Sequence, residues 1–249
     1  MDRPRPDKQI YEDYTPENLL VWQTLFNRQM MVLKNHASAD YIKSLRKIGF
    51  SALRIPDFSN VNLRLKSMTG WKLRTVPCLS PIEEFFQLLS EKEFTATCWL
   101  RNFEELDYIE EPDMFHDVFG HAPLLTHPDY CSFFQQLGEL ACRYKGIPEG
   151  MEKLQRLYWF TIEFGMIEEN NELKIYGAGI MSSKEETAHC LSSGSKKNPF
   201  DVRTMMNQPF RTDIIQENYY VLKSFEQLRN CIPEIENELA RTIELKKTA

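Results

Sequence analysis

The chain has 249 residues, 42% hydrophobic and 27% charged, so it is long enough to bury a substantial core and its composition is not that of a disordered protein. The net charge of −6 and the lack of clustered Lys and Arg argue against a surface that binds nucleic acid or an anionic membrane. No stretch approaches the roughly 18 apolar residues that span a bilayer, and the N-terminus lacks a secretory signal, so we expect a cytoplasmic protein.

The first part of the chain predicts helices. A polar arm occupies residues 1–14, and Thr15 and Pro16 then provide an N-cap and a first-turn proline. The helix that follows has an apolar face formed by Leu19, Trp22, Leu25, Phe26, Met30 and Leu33. A second helix is expected between its cap, Ser38, and a C-cap glycine, Gly49, and residues 59–66 predict a third.

Two short strands are predicted next. Residues 71–76 alternate apolar and basic side chains, as a half-buried strand does, and residues 94–101 are rich in β-forming side chains. We expect these two strands to pair. Between them, the residues from Ser80 to Glu83 have the pattern of a capping box that begins a helix ending near Ser90.

Helices dominate the rest of the chain. We expect helices that begin at Pro128 and at Glu149, the latter ending at Gly165, and a capping box over residues 183–186. Extended stretches are expected around Ile167 and at residues 173–176. The C-terminal helix, 233–246, has a narrow apolar stripe and is expected to pack on its own domain; the stripe consists of Ile235, Leu239 and Ile243.

The chain contains no repeat, low-complexity run or linker that would mark a domain boundary. The predicted fold class is therefore mainly α, with residues 1–249 as a single domain. Six cysteines are scattered without a Cys-x-x-Cys pair, and we interpret them as reduced, mostly packing residues.

Two histidines five residues apart, His116 and His121, are candidate metal ligands. On an α-helix, at about 100° per residue, they would project about 140° apart and could not bind one ion. A break in the helix is therefore required. Gly120 and Pro123 can supply it, with His116 on the last helical turn and His121 on the exit loop.

A glutamate, Glu163, lies within the apolar run 158–164. An unpaired buried carboxylate costs several kcal/mol, so this side chain must be exposed, paired with a base or bound to a metal. Two imidazoles and one carboxylate form the ligand set of a mononuclear non-haem Fe(II) site, which leaves positions open for dioxygen and substrate. If His116, His121 and Glu163 meet in space, the chain activates oxygen.

Other interpretations stay open at this point. His127, in a turn six residues after His121, could complete a three-histidine zinc site. A helical binding module in which a structural base neutralises Glu163 is the non-enzymatic alternative. The sequence 177–179 lacks the third glycine of a dinucleotide fingerprint and is expected to form a tight turn near the active site.

Several motifs, in order along the chain, resemble those of the pterin-dependent aromatic amino acid hydroxylases, and of the bacterial members in particular. The resemblance covers at least residues 71–225. Its motifs are Leu100-Arg101, Leu106-Asp107-Tyr108, Glu111-Pro112-Asp113, the stretches 116–121 and 157–165, the stretch 176–183, and Tyr219-Tyr220-Val221.

The resemblance implies a catalytic domain in which a basket of helices holds one mononuclear iron beside a small β-ribbon. The implied iron ligands, which are also the catalytic residues, are His116, His121 and Glu163. A tetrahydropterin would stack on Phe85. The backbone around Ser80 and Ile82, with the side chains of Asp117 and Tyr158, would complete its site.

The resemblance also implies a site for an amino acid. Arg101 would bind its α-carboxylate, because a guanidinium can grip a carboxylate through two hydrogen bonds. Further contacts would come from Asp107, Tyr108, Ile109 and Ser182, and the aromatic ring would be walled by Pro112, Trp159 and Phe164.

The implied activity is that of a phenylalanine 4-monooxygenase. Such an enzyme uses Fe(II), O2 and tetrahydrobiopterin or a related tetrahydropterin to convert L-phenylalanine to L-tyrosine. Alternatives are a tyrosine, tryptophan or broad-specificity hydroxylase. Because no separate regulatory domain or oligomerisation helix is recognised, we expect a monomer.

Overall fold

Helices form most of the molecule. The structure, a computed structural model, describes the backbone of residues 4–247 and the side chains of residues 4–242. Its α-helices are α1 Pro16–His36, α2 Ala39–Lys47, α3 Phe58–Met68, α4 Ile82–Ser90, α5 Pro128–Arg143, α6 Pro148–Tyr158, α7 Ala178–Ser182, α8 Lys184–Leu191, α9 Val202–Asn207, α10 Phe225–Asn230 and α11 Ile232–Lys247. The mainly α prediction is confirmed, and each helix expected from the sequence is present.

Helix α1 begins as predicted, because Thr15 and Asn18 cap each other reciprocally. Its buried stripe differs from the prediction at Leu19, which is 40% exposed. A buried glutamine, Gln29, lies in the stripe instead. Its side-chain amide donates to the carbonyl of Met181 at 2.6 Å, so α1 is joined to α7 by a polar contact that an apolar pattern does not reveal.

The predicted pair of strands, β1 Lys72–Thr75 and β2 Glu93–Ala96, is present as a parallel two-stranded ribbon. The capping box predicted at Ser80 is wrong. Pro81 occupies the N-cap position of α4 and has no side chain that can accept a hydrogen bond, so the helix begins one residue later than the motif requires.

A second sheet contains four strands in the order β4-β3-β6-β5. The predicted extended stretches are β3 Gly165–Glu169 and β4 Glu172–Ile175, which form a hairpin. The other two, β5 Lys196–Pro199 and β6 Asn218–Leu222, were not predicted. They are parallel to their neighbours, and such pairing joins distant parts of the chain that local patterns do not relate.

Of the two hydrogen bonds in the capping box predicted at Ser183, only the one accepted by the serine is present. The hydroxyl of Ser183 accepts from the backbone N–H of Glu186, but the Glu186 carboxylate faces Gln216 and Tyr219 instead of returning to the cap. Helix α11 packs on its own domain, as expected, with Ile235 and Leu239 fully buried; the side chain of Ile243 lies outside the described residues.

One contiguous hydrophobic core joins the helices and both sheets. All six cysteines are free, and four of them are buried in this core, as the packing interpretation predicts. Within residues 4–247, no helix has the length and apolar character that crossing a lipid bilayer demands.

Candidate metal centre

The two histidines lie on a π-helical segment, Phe115–His121, and the predicted break between them is wrong. In a π-helix each N–H bonds five residues back, so residues five apart lie one turn apart on the same side. His116 and His121 therefore face one point without a change of direction. A buried tyrosine, Tyr41 of α2, supports the segment by donating its hydroxyl hydrogen to the carbonyl of Phe119 at 2.7 Å.

The glutamate lies on a second π-helical segment, Trp159–Glu163, which continues directly from α6. The N–H of Phe164 closes it by donating to the carbonyl of Trp159, five residues back, at 3.0 Å. Glu163 is 8% exposed, so its carboxylate lies in the interior, as the apolar run around it indicated. Each of the two π-helical segments thus ends on one of the candidate ligands.

The three side chains meet. The Nε2 atom of His121 lies 3.2 Å from Glu163 Oε1, and the Nε2 atom of His116 lies 3.6 Å from Glu163 Oε2. The two Nε2 atoms are 3.4 Å apart. One ligand atom from each residue lies within 4.8 Å of the others. Among the described residues, this is the only cluster of His, Cys, Asp or Glu side chains that could hold a metal ion.

A serine sets the tautomer of His116. The Ser182 hydroxyl donates to the carbonyl of Ala178 at 2.8 Å, so its oxygen accepts from Nδ1 of His116, which is 2.9 Å away. With the ring proton on Nδ1, the lone pair of Nε2 faces the other two ligands. Burial lowers the pKa of His116, which keeps the ring neutral near pH 7 as metal binding requires.

The electrostatics of Glu163 also suit a metal. Burial raises the pKa of its carboxyl, but the two imidazoles and a hydrogen bond from Tyr158 outweigh burial and lower it. The carboxylate is thus ionised beside a neutral imidazole nitrogen. Two nitrogen donors and one anionic oxygen in a buried position fit a mononuclear iron.

The zinc alternative is wrong, because His127 lies elsewhere. Its Nδ1 accepts from the backbone of Tyr130 as the N-cap of α5, and its Nε2 faces Asp40 at 3.6 Å. The binding-module alternative required a structural base at Glu163. Among the described residues, the bases paired with Glu163 are the two histidines themselves.

A buried ion pair lies beside this cluster. Arg101 is 5% exposed, and its Nε and Nη2 atoms donate to the two carboxylate oxygens of Asp113 at 2.9 and 2.8 Å. Asp113 Oδ1 also accepts the backbone N–H of His116 at 3.3 Å. One edge of the Arg101 guanidinium, formed by Nε and Nη2, is therefore already used by Asp113, and its Nη1 end is not.

The remaining residues predicted for the amino acid lie in three places. Asp107, Tyr108, Ile109 and Pro112 belong to the loop between Arg101 and Asp113, where Asp107 and Tyr108 are exposed. Ser182 contacts His116, as described above. Trp159 and Phe164 contact each other, with ring centroids 4.6 Å apart.

Trp159 has two further partners that the sequence did not indicate. Phe210 stacks on its ring at 4.5 Å, and the buried amide of Gln216 accepts from its indole N–H at 2.9 Å. Gln216 in turn donates to the carbonyls of Arg211 and Ile214. The orientation of Trp159 is thus fixed by a loop about fifty residues away in the chain.

The residues predicted for the pterin have contacts of their own. Phe85 contacts the ring of Tyr158 edge-to-face at 5.3 Å, and Tyr158 helps to lower the pKa of Glu163. Asp117 is buried, and its carboxylate accepts from both the backbone and the hydroxyl of Thr97, a residue that the sequence did not single out. Ser80 is half-buried, and Ile82 is 38% exposed.

Residues 177–179 lie against the candidate ligands, as predicted, but they do not form the predicted tight turn, because Gly177 is the N-cap of α7 and Ala178 and Gly179 are its first residues. A Cβ added at Gly177 would lie 2.4 Å from the carbonyl oxygen of Glu163, and one at Gly179 would lie 2.7 Å from the ring of Phe164. Gly120, between the two histidines, approaches Ala178 equally closely. These glycines allow α7 to contact both π-helical segments. In the sequence, their positions in the motifs were the feature that could indicate such a close contact.

The fold and the site define an enzyme class. The family model for biopterin-dependent aromatic amino acid hydroxylase matches residues 6–248, and the chain belongs to that family. Among curated relatives, phenylalanine-4-hydroxylase of Chromobacterium violaceum is 40% identical over 221 residues, 88% of this chain and 74% of the relative. That of Vibrio cholerae is 41% identical over 217 residues, with coverage of 87% and 74%.

A solved structure of the same family is also similar to this chain. Chromobacterium violaceum phenylalanine hydroxylase with bound iron(III) and oxidised cofactor 7,8-dihydrobiopterin aligns with a TM-score of 0.87 and 38% identity, over 96% of this chain and 86% of the other. Relatives with other substrates are less similar. Tryptophan 5-hydroxylase of Xenopus laevis is 32% identical and human tyrosine 3-monooxygenase 30%, and this chain covers 49% and 45% of them.

Proposed function

We propose that this protein is a phenylalanine 4-monooxygenase, which converts L-phenylalanine to L-tyrosine with O2, Fe(II) and tetrahydrobiopterin or a related tetrahydropterin. The observation that carries the proposal is the buried cluster of His116, His121 and Glu163, whose ligand atoms lie within 4.8 Å of one another. The similarity to bacterial phenylalanine hydroxylases supports the choice of substrate.

His116, His121 and Glu163 would hold the iron. Bound iron and tetrahydropterin supply reductive activation of dioxygen, and the protein contributes the arrangement of the partners. Ser182 keeps Nε2 of His116 deprotonated, and Tyr158 favours the ionised form of the Glu163 carboxylate. Both residues prepare a donor atom before the metal binds, which is the role of groups outside the ligand set.

The pterin would lie on the side of Phe85, whose half-buried ring offers a face for stacking. Tyr158 and Asp117 border that side, and the backbone at Ser80 and Ile82 offers hydrogen-bonding groups at its edge. Asp117 is held by Thr97, so one carboxylate oxygen is committed to the protein and the other is available to a ligand.

The amino acid would lie between Arg101 and Trp159. The buried guanidinium of Arg101 attracts the α-carboxylate, and Asp113 holds it in place. The indole of Trp159, with Phe164 and Pro112, would wall the aromatic ring. Asp107, Tyr108, Ile109 and Ser182 would border the same site. A closed arrangement of these groups excludes water from the metal.

The experiment that tests the function is product analysis with ferrous protein, a tetrahydropterin and each of the three aromatic amino acids. We expect tyrosine from phenylalanine, with coupled oxidation of the pterin. If tyrosine or tryptophan is hydroxylated while phenylalanine is not, the substrate proposal is wrong but the chemistry holds. If no amino acid is hydroxylated by iron-loaded protein, the function itself is wrong.

We also propose that residues 1–249 act as one catalytic domain, as a monomer in the cytoplasm. The single contiguous core supports the first statement. Light scattering behind a sizing column tests the second, because a dimer would elute with twice the mass of 29.4 kDa.

A further inference from the structure

The loop from Asn102 to Pro112, which we call the rim loop, begins and ends beside the metal cluster. Its two flanking residues are Arg101 and Asp113, and their buried ion pair closes the base of the loop. Asp113 also accepts the backbone N–H of His116. The base of the rim loop is therefore one hydrogen bond from a proposed iron ligand.

The rest of the rim loop has little structure of its own. Apart from a single 3-10 turn at Phe103–Glu105, it contains no helix or strand, and Phe103 and Tyr108 are 43% and 74% exposed. A segment with few buried apolar contacts is held in place mainly by the groups that bind it from outside. The groups that bind the rim loop therefore decide where it lies.

Arg28, on α1, binds the middle of the rim loop. Its Nη1 atom donates to Asp107 Oδ1 at 2.7 Å, and its Nη2 atom donates to the carbonyl of Leu106 at 2.6 Å. The side chain of Arg28 is 19% exposed, and its Nε is buried without a hydrogen-bond partner. This guanidinium has given up most of its hydration, and the two hydrogen bonds that replace it go to the rim loop.

Two other cations pair with acidic residues of the rim loop from more exposed positions. Lys184, on α8, lies 3.5 Å from Asp107 and is half exposed. Arg5 pairs with Glu111, and both side chains are more than 40% exposed. Exposed pairs are worth about 0–1 kcal/mol, so neither is expected to fix the loop. Arg28 differs because it is largely buried and binds a carbonyl and a carboxylate together.

We propose that Arg28 is a positioning residue that holds the rim loop against the metal cluster and thereby sets the affinity for the amino-acid substrate. It contacts Asp107 and Leu106, and not the substrate. The inference rests on the proposed function, which places the amino acid between Arg101 and Trp159, with residues of the rim loop bordering the same site. It also changes the role of Asp107, whose carboxylate anchors the loop instead of contacting the amino acid.

Steady-state kinetics test the proposal. In R28M we expect the KM for phenylalanine to rise about tenfold with kcat changed less than about twofold, because an interaction outside the reacting atoms is lost. R28K retains the charge but cannot bind both partners at once, so it should recover only part of the loss. R64M is the matched control, since Arg64, on α3, donates to the carbonyl of Lys47 at the end of α2 and does not contact the rim loop.

A double-mutant cycle separates positioning from general destabilisation. If Arg28 acts through Asp107, the effects of R28M and D107N on KM will be less than additive. Additive effects, or a KM for R28M equal to that of R64M, would overturn the proposal. Increasing salt should raise the KM of the wild type, because Asp107 is 68% exposed, and should raise that of R28M less.

Limited proteolysis gives a readout independent of turnover. A protease that cleaves after glutamate has three sites in the rim loop, at Glu104, Glu105 and Glu110, because the bond after Glu111 leads to a proline. In metal-free protein, R28M should be cleaved there about five to ten times faster than R64M, with an equal melting temperature. Equal cleavage rates in R28M and R64M would refute the proposal that Arg28 holds the rim loop in place. If wild-type protein fails to hydroxylate phenylalanine, the proposed function fails, and cleavage still decides whether Arg28 holds the loop.

Discussion

Ser182 Oγ lies 2.9 Å from Nδ1 of His116, and its own proton goes to the carbonyl of Ala178. This contact determines which imidazole nitrogen is free to bind a metal. It also joins α7 to the first π-helical segment, so the orientation of one ligand depends on a residue 66 positions later in the chain.

The serine contact predicts a specific loss of metal affinity. S182A removes the acceptor for Nδ1–H, and loss of such a partner typically weakens metal binding by about 10- to 100-fold. Titration of the metal-free protein with ferrous iron under argon measures this change. S183A is the control, because Ser183 caps α8 and does not contact a ligand. Equal iron affinity in the two variants would contradict the role of Ser182.

Removal of Glu163 should abolish iron binding. E163A leaves two neutral imidazoles without the anionic donor, and we expect less than about a tenth of the iron content of the wild type after anaerobic loading and desalting. H127A should retain full iron content, because His127 caps α5 outside the cluster. Metal analysis of the two variants decides between this ligand set and any that includes His127.

The contact at Gly120 predicts loss of stability. A Cβ at this position would lie 2.9 Å from Ala178 Cβ and 3.1 Å from the Ala178 carbonyl oxygen. Neither atom belongs to a flexible side chain, so G120A should lower the free energy of unfolding by about 1–3 kcal/mol, measured by urea denaturation. At Gly194 the nearest atom is 3.7 Å away, and G194A should unfold at the same urea concentration as the wild type.

The Arg101 to Asp113 ion pair predicts a large cost on removal of one partner. Burial raises the pKa of Asp113, but the charge and hydrogen bonds of Arg101 outweigh it and lower the pKa. D113A would leave a buried guanidinium unpaired, which costs about 3–5 kcal/mol. Denaturant unfolding measures the cost. D213N, in the fully exposed pair with Arg211, should unfold like the wild type.

Glu186 predicts a dependence of stability on pH. Burial raises the pKa of this carboxyl, and hydrogen bonds from Tyr219 and Gln216 oppose it only in part. The folded state therefore holds the proton more tightly than the unfolded state. The resulting stability is present below the unfolded pKa, about 4.3, and is lost as the pH rises through the folded value. Relative to E186Q, wild-type protein should become less stable from pH 4 to pH 7 by thermal unfolding. A constant difference would show that Glu186 does not titrate differently in the two states.

The sequence by itself determined the helices, most of their caps and the three candidate metal ligands. Thr15, Ser38 and Ser183 cap helices as predicted, because a cap depends on a few neighbouring residues. Glu163 could be singled out because a carboxylate in an apolar run has few stable environments.

The tertiary structure decided how those residues meet. The sequence could not show that His116 and His121 lie on a π-helix, because the contacts of that segment come from Tyr41 and Ala178, far away in the chain. The pairing of Arg101 with Asp113 and of Trp159 with Gln216 was equally hidden. Local spacing fixes which side of a helix a residue occupies, whereas the partner on that side depends on contacts between distant segments that only the folded chain brings together.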